Sequence, residues 1–260
     1  MSYENILRED RDGVAFVTVN RPDKLNALND VTIGELEHAF LAIGADDAVG
    51  AVIITGAGEK AFIAGADIGE LAGQSPLQAR PLALRGQRLM NVVEATPKPV
   101  VAAINGYALG GGCELALACH LRTAAESALL GLPEVGLGII PGYGGTQRLP
   151  RLVGQGRALE MILTGGNVDA SEAHRIGLVN KVFPPDQLLA QTEKIVRRIL
   201  GKGPVAVRMA LDAVVHGMQM PLADALNYEA TFFGLLAGTQ DMKEGMTAFI
   251  EKRAAAFSGR

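Results

Sequence analysis

A chain of 260 residues, 48% hydrophobic and 20% charged, can bury a sizeable core, and these proportions exclude disorder as its main state. The formal net charge of −4, with no dense run of Lys or Arg, argues against nucleic acid as a main partner, because phosphate neutralisation needs clustered cations. Apolar runs are broken by glycine or a charge before the ~18 residues of a membrane helix, so no membrane span is expected.

Val14 to Asn20 is β-branched and apolar and ends at Arg21-Pro22, which predicts a strand followed by a loop. Asn29 or Asp30 can cap a helix whose apolar residues Ile33, Leu36, Phe40 and Ile43 follow helical spacing. Val52-Ile53-Ile54-Thr55 reads as a buried strand that stops at Gly56-Ala57-Gly58, and Ala61 to Ala64 is a second short apolar piece. Pro76 to Ala95 has helical character. Pro99 to Ile104 is another strand, after which Asn105-Gly106 turns the chain towards a helix start at Gly110-Gly111-Gly112. Strands alternating with helices argue for an α/β core with parallel strands and crossover connections.

From about Pro184 the pattern is helical. Asp186 can cap one helix, and Pro204, Pro221 and Asp241 begin three more, the last with Glu244 in capping-box register. The expected organisation is an α/β body over 1–183 and a helical region over 184–260.

The N-terminus Met1 to Asp10 has no apolar signal-peptide centre and carries acids. Cys113 and Cys119 lie six apart in one predicted helix, a poor spacing for a bridge. With no CxxC, no HExxH and four scattered histidines, no metal site is expected, and the cytoplasm is the default location.

Two acids carry the chemical signal. Glu114 is the only formal charge between Lys98 and Arg122, and Glu134 the only one between Glu126 and Arg148. An ionised carboxylate in apolar surroundings is costly unless paired or hydrogen-bonded, so an isolated pair suggests carboxylates placed for proton transfer. The plainer readings are a helix-dipole acid at Glu114 and a surface loop acid at Glu134. The apolar neighbours Leu115, Leu117, Leu132 and Val135 argue against wide exposure of either. Gly110-Gly111-Gly112 before an apolar helix also gathers free backbone N–H groups at one point, and Gly65-Ala66-Asp67 offers another such turn. Two convergent donors make an oxyanion hole, although glycines that only permit close packing would look the same. No GxSxG, no complete GxGxxG and no P-loop spacing occurs.

Taken in order, these segments resemble the enoyl-CoA hydratase/isomerase (crotonase) superfamily. The resemblance runs through Asn20-Arg21-Pro22, Leu25-Asn26-Ala27-Leu28, Ala64-Gly65-Ala66-Asp67-Ile68, and Lys98 to Leu115 with its Gly110-Gly111-Gly112-Cys113-Glu114. It continues through Pro133-Glu134, Ile140 to Leu149, Ala170-Ser171-Glu172-Ala173, Gly177 to Asn180 and Phe249 to Arg253. The resemblance implies a spiral of ββα units with a helical C-terminal trimerisation region, giving a homotrimer or homohexamer. It also implies acyl-CoA thioester substrates and no separate cofactor. Both positions matching the acids of true hydratases are filled, by Glu114 and Glu134, and the oxyanion amides match Ala66 and Gly111. Ala27, Leu28, Ala64, Asp67 and Ile68, with Gly69 after them, match the segments that hold coenzyme A. Arg21 and Lys24 match a coenzyme-binding loop, and Lys252 and Phe233 are placed to reach the ligand from the C-terminal region. Gly142, expected at the start of a helix after Pro141, would help hold the water. The run Leu71 to Met90 matches the acyl-pocket segment. The implied activity is reversible syn hydration of a trans-2-enoyl-CoA to a 3-hydroxyacyl-CoA. The alternatives are a double-bond isomerase and a non-catalytic acyl-CoA- or RNA-binding relative.

Overall fold

The structure, a computed structural model, describes residues 3–260. The chain divides into two compact units, Met1–Thr96 with Val100–Glu193, and Pro97–Pro99 with Lys194–Arg260.

The first unit opens with an antiparallel hairpin of β1 (Ile6–Arg11) and β2 (Val14–Val19), followed by helix α1 (Asp30–Ala45). Asn29 caps α1 by accepting the Thr32 N–H, and the helix buries Ile33, Leu36, Phe40 and Ile43, the face expected from their spacing. Then come β3 (Ala51–Gly56), β4 (Ala61–Ile63), α2 (Ile68–Leu71) and α3 (Pro76–Glu94). Next are β5 (Val100–Ile104), β6 (Tyr107–Leu109) and α4 (Gly111–Ala118), and after them β7 (Leu121–Ala125) and β8 (Leu129–Gly131). Helices α5 (Gly145–Val153) and α6 (Gln155–Thr164), strand β9 (Asn167–Asp169), helix α7 (Ala170–Arg175) and strand β10 (Lys181–Phe183) follow, and helix α8 (Leu188–Leu200) begins in this unit and ends in the second.

These strands alternate between two sheets. The larger has the order β1-β2-β3-β5-β7-β10 and the smaller β4-β6-β8-β9. From β2 to β10 the larger sheet is parallel, as are β4, β6 and β8 in the smaller one. Each coil therefore adds one strand to each sheet before its helix, which is a spiral of ββα units. Every residue of β3 and of β5 is buried, as expected for parallel strands covered on both faces.

Close approaches between the coils fix the site. A Cβ at Gly112 would collide with the Ile63 carbonyl, so only glycine lets α4 lie against the end of β4. The far end of α4 is held by the buried Arg122, whose guanidinium donates to the carbonyls of Ala116, Cys119 and Leu178. Cys113 and Cys119 are buried free thiols.

Two expected helix starts move. The helix after Pro141 begins at Gly145, because Gly144 takes the left-handed conformation (φ 113°) as its cap. The last helix is capped by Thr239, which accepts the Met242 N–H, and not by Asp241. Asp241 instead accepts the Ser258 and Gly259 amides at 2.6 and 2.9 Å, and Glu244 pairs with Arg253 at 2.6 Å. Strands β6, β8 and β9 had no sequence signal, since three residues carry too little alternation to read.

In the second unit, α9 (Pro204–Gly217) and α10 (Leu222–Leu236) form a helical pair followed by α11 (Gln240–Glu251). Tyr228 on α10 donates to Asp212 on α9 at 2.5 Å and packs against Phe232 at a tilt, with ring centroids 4.5 Å apart. Val214, Leu222, Leu226, Phe233 and Leu235 remain exposed on this pair. No helix among the described residues is long and apolar enough to cross a membrane.

Candidate active site

Glu114 lies in the first turn of α4, where the helix dipole favours a carboxylate, and is only 2% exposed. Its Oε1 accepts the Tyr143 N–H at 2.7 Å and the Gly145 N–H at 2.8 Å. The carboxylate therefore sits on the N-terminus of a second helix, α5. Burial pushes its pKa up to about 7 despite the Gly145 amide, and the charge of Glu134 adds to the rise while the Tyr143 amide and Arg148 oppose it.

Glu134 opens a short 3-10 turn, Glu134–Leu137, directly after Pro133. It is 9% exposed, and burial raises its pKa above the ordinary carboxylate value. Its Oε1 lies against Gly110, where an added Cβ would come within 3.0 Å of it. Its Oε2 is buried without a hydrogen-bond partner among the described residues. A buried polar atom left unpaired is costly, so this oxygen is poised for a donor that arrives from outside the chain.

Beside the two acids, Gly110 turns the chain with φ 50° and ψ −124°, so that α4 begins at Gly111. A Cβ at Gly111 would stand 3.5 Å from the Ala66 nitrogen, so the backbones of these two residues meet here. Among the described residues neither N–H has a hydrogen-bond acceptor. Ala66 is held by its neighbours: Leu28 N–H donates to Gly65 O at 2.9 Å and Asp67 N–H to Leu28 O at 2.8 Å. Two neighbouring amides without acceptors, one of them at the start of a helix, are an arrangement that can accept a developing oxyanion.

The loop bearing Arg21 and Lys24 supports that pocket. Leu25 and Asn26 both adopt left-handed backbone (φ 49° and 58°). Asn26 makes the turn tolerable by donating to Ala57 O and Ala61 O, each at 2.9 Å, and accepting the Arg21 N–H at 2.9 Å. The Arg21 guanidinium donates to Ala27 O and pairs with Asp67 at 3.3 Å. It thus ties the loop to the Ala66 segment. Lys24 is exposed at the end of a 3-10 turn, and Ala64 N–H donates to Leu25 O at 3.0 Å. Ile68 and Gly69 are exposed in the first turn of α2, which Asp67 caps.

The structure therefore brings Ala66, Gly111, Glu114 and Glu134 into one cluster, with Ala27, Leu28, Ala64, Asp67 and Arg21 behind the Ala66 side. Gly142 does not start the helix; its carbonyl accepts from Gln87 at 2.9 Å, and the amides that grip Glu114 are those of Tyr143 and Gly145. Sequence reasoning missed these two amides and Arg148, which bonds Tyr143 O at 3.3 Å and Glu94 at 2.7 Å. The Gly144-Gly145 pair was the available signal for a helix start. Phe233 on α10 is 72% exposed, and Lys252 follows α11 in left-handed conformation. Among the described residues no cluster of three or more His, Cys, Asp or Glu is arranged for a metal ion.

Comparison with known proteins identifies the family. The model of the enoyl-CoA hydratase/isomerase family matches residues 9–260. The chain is 52% identical over 257 residues to a crotonyl-CoA hydratase of Syntrophomonas wolfei, covering 99% of each chain. It is 48% identical over 253 residues to a short-chain-enoyl-CoA hydratase of Clostridium acetobutylicum, covering 97% of each. The crystal structure of an enoyl-CoA hydratase from Bacillus anthracis superposes with a TM-score of 0.95 at 44% identity, over 99% of this chain and 100% of that one. The chain belongs to the enoyl-CoA hydratase/isomerase family.

Proposed function

We propose that the protein is an enoyl-CoA hydratase, a hydro-lyase that adds water reversibly and syn across a trans-2-enoyl-CoA to give a 3-hydroxyacyl-CoA. The observation that carries this reading is the pairing of two buried acids beside two free amides. A conjugated thioester becomes electrophilic at its β-carbon when charge builds on the carbonyl oxygen, and the N–H groups of Ala66 and Gly111 would stabilise that charge. Each such donor is worth about 10²–10³ in rate.

Glu114, held by two amides and with a pKa near neutrality, orients the water and takes its proton. Glu134, whose burial favours the protonated acid, delivers a proton to the α-carbon through its unpartnered Oε2. In dehydration the same atoms run in reverse. Two acids on one water titrate as a coupled pair, so the division of labour describes the dominant protonation state.

Coenzyme A would lie along Ala27, Leu28 and Ala64 to Gly69, with the exposed Lys24 available to a phosphate and Arg21 acting behind it through Asp67. The exposed apolar face of α9 and α10 supports a homotrimer or a dimer of trimers, because an apolar surface of this kind favours contact with another protein surface. No separate cofactor is required, so chelators should leave activity intact. Two unbridged thiols support a cytoplasmic location.

Turnover of a trans-2-enoyl-CoA in water labelled with heavy oxygen tests the reading. Hydration places the label on the β-carbon of the product. Migration of the double bond without label would make the protein an isomerase instead.

A further inference from the structure

The side chain of Tyr143 has no part in the proton transfers, yet it occupies a constrained place. Only 8% of the residue is exposed. One edge of its ring faces Gly86 on α3, where any Cβ would collide with Cγ, Cδ1 and Cε1. The opposite edge, Cδ2 and Cε2, lies 3.3 Å from where a Cβ of Gly111 would stand, next to the Ala66 amide. The ring is thus wedged between α3 and the oxyanion pocket. Its backbone is fixed on every side: Gly142 O by Gln87, Tyr143 N by Glu114 and Tyr143 O by Arg148. The phenol is pushed up to about 12, by burial first and then by the charges of Glu114, Glu70 and Asp30, so it stays neutral.

In the acyl-CoA reading, a thioester oxygen seated on the Ala66 and Gly111 amides would carry the acyl carbons past Glu114 towards Tyr143, whose backbone N–H that acid accepts and whose ring lies beside Gly111. From the close contact of its ring with both Gly86 and Gly111, we infer that Tyr143 closes the acyl pocket and restricts the substrate to short acyl chains. This inference rests on the acyl-CoA reading given above. Glycine at position 86 is part of the same device, since a larger residue there would force the ring out of its seat.

The test combines binding with turnover, so that the two readings fail separately. Butanoyl-CoA and octanoyl-CoA, which cannot be hydrated, are titrated calorimetrically against the intact protein and against Tyr143→Ala and Tyr143→Leu. The kcat/KM values for crotonyl-CoA and trans-2-octenoyl-CoA are measured alongside. The intact protein should favour the short thioester in both assays, and either variant should shift the preference towards the long one by at least about tenfold, the effect of a methylene or two admitted to an apolar pocket. A structural role alone would weaken both thioesters equally and leave their ratio in place. An intact protein that takes the long thioester as readily as the short one overturns the inference even if neither variant folds, as does a ratio unmoved by substitution. Binding with the expected preference but no hydration would leave the pocket assignment standing and remove the hydratase reading. Failure to bind either thioester would remove both.

Discussion

Gly145 donates its backbone N–H to Glu114 Oε1 at 2.8 Å, and its missing side chain is what lets the carboxylate come so close. A Cβ there would stand 3.0 Å from Glu114 Cγ and from Leu132 Cδ1. The first residue of α5 thus sets the position of an acid on α4. Gly145→Ala should displace the carboxylate by a fraction of an ångström and lower kcat by about tenfold to a hundredfold, with KM much less affected. An unchanged kcat would show that this contact does not position the acid.

The raised pKa of Glu114 has a consequence for stability. The folded protein binds this proton more tightly than the unfolded chain, so its contribution is fully present below the ordinary carboxylate range and is lost as pH rises through about 7. The shift corresponds to about 3 kcal/mol as an upper bound. Denaturant midpoints should therefore fall between pH 4.5 and about 7 in the natural protein and fall less in Glu114→Gln. Parallel midpoints in the two proteins would mean that Glu114 titrates normally.

The same shift shapes the rate. Hydration needs Glu114 ionised, so kcat/KM in the hydration direction should drop on acidification with a limb near pH 7. The pH–rate profile checks this. A flat response between pH 5 and 7, a range of about two units, would contradict the assignment of the base.

Arg21 reaches Ala27 O and Asp67 and so braces the strand edge that presents the Ala66 amide. Arg21→Met should lower kcat/KM by about tenfold, and Asp67→Asn should add little once Arg21 is gone, giving a coupling of about 0.5–3 kcal/mol in a double-mutant cycle. Fully additive losses would instead assign the arginine directly to the ligand.

Much of this was legible in the chain. The buried face of α1 follows from residues three and four apart, and β3 and β5 follow from short charge-free runs rich in Val and Ile. Glu114 and Glu134 stood out because a lone charge in a long apolar stretch needs a reason to be there. Strands β6, β8 and β9 of the smaller sheet did not stand out, since each is three residues long and is defined by its neighbours in space. The grip on Glu114 was also hidden, because backbone amides leave no trace in residue identity and the left-handed Gly144 moves the helix start past Gly142. Arg21 could be recognised as a cation in a loop, but its partner, Asp67, lies far away in sequence and only folding brings them together.

Hydration of crotonyl-CoA by Glu114→Gln, Glu134→Gln and the double variant, each with butanoyl-CoA affinity measured in parallel, bears most directly on the paired acids. Each single variant should keep its affinity and lose about 10²–10⁴ in kcat, and the double should be little worse than the weaker single, because both carboxylates serve one water molecule. Near-normal turnover in either single variant would contradict the mechanism, and so would losses that simply multiply in the double.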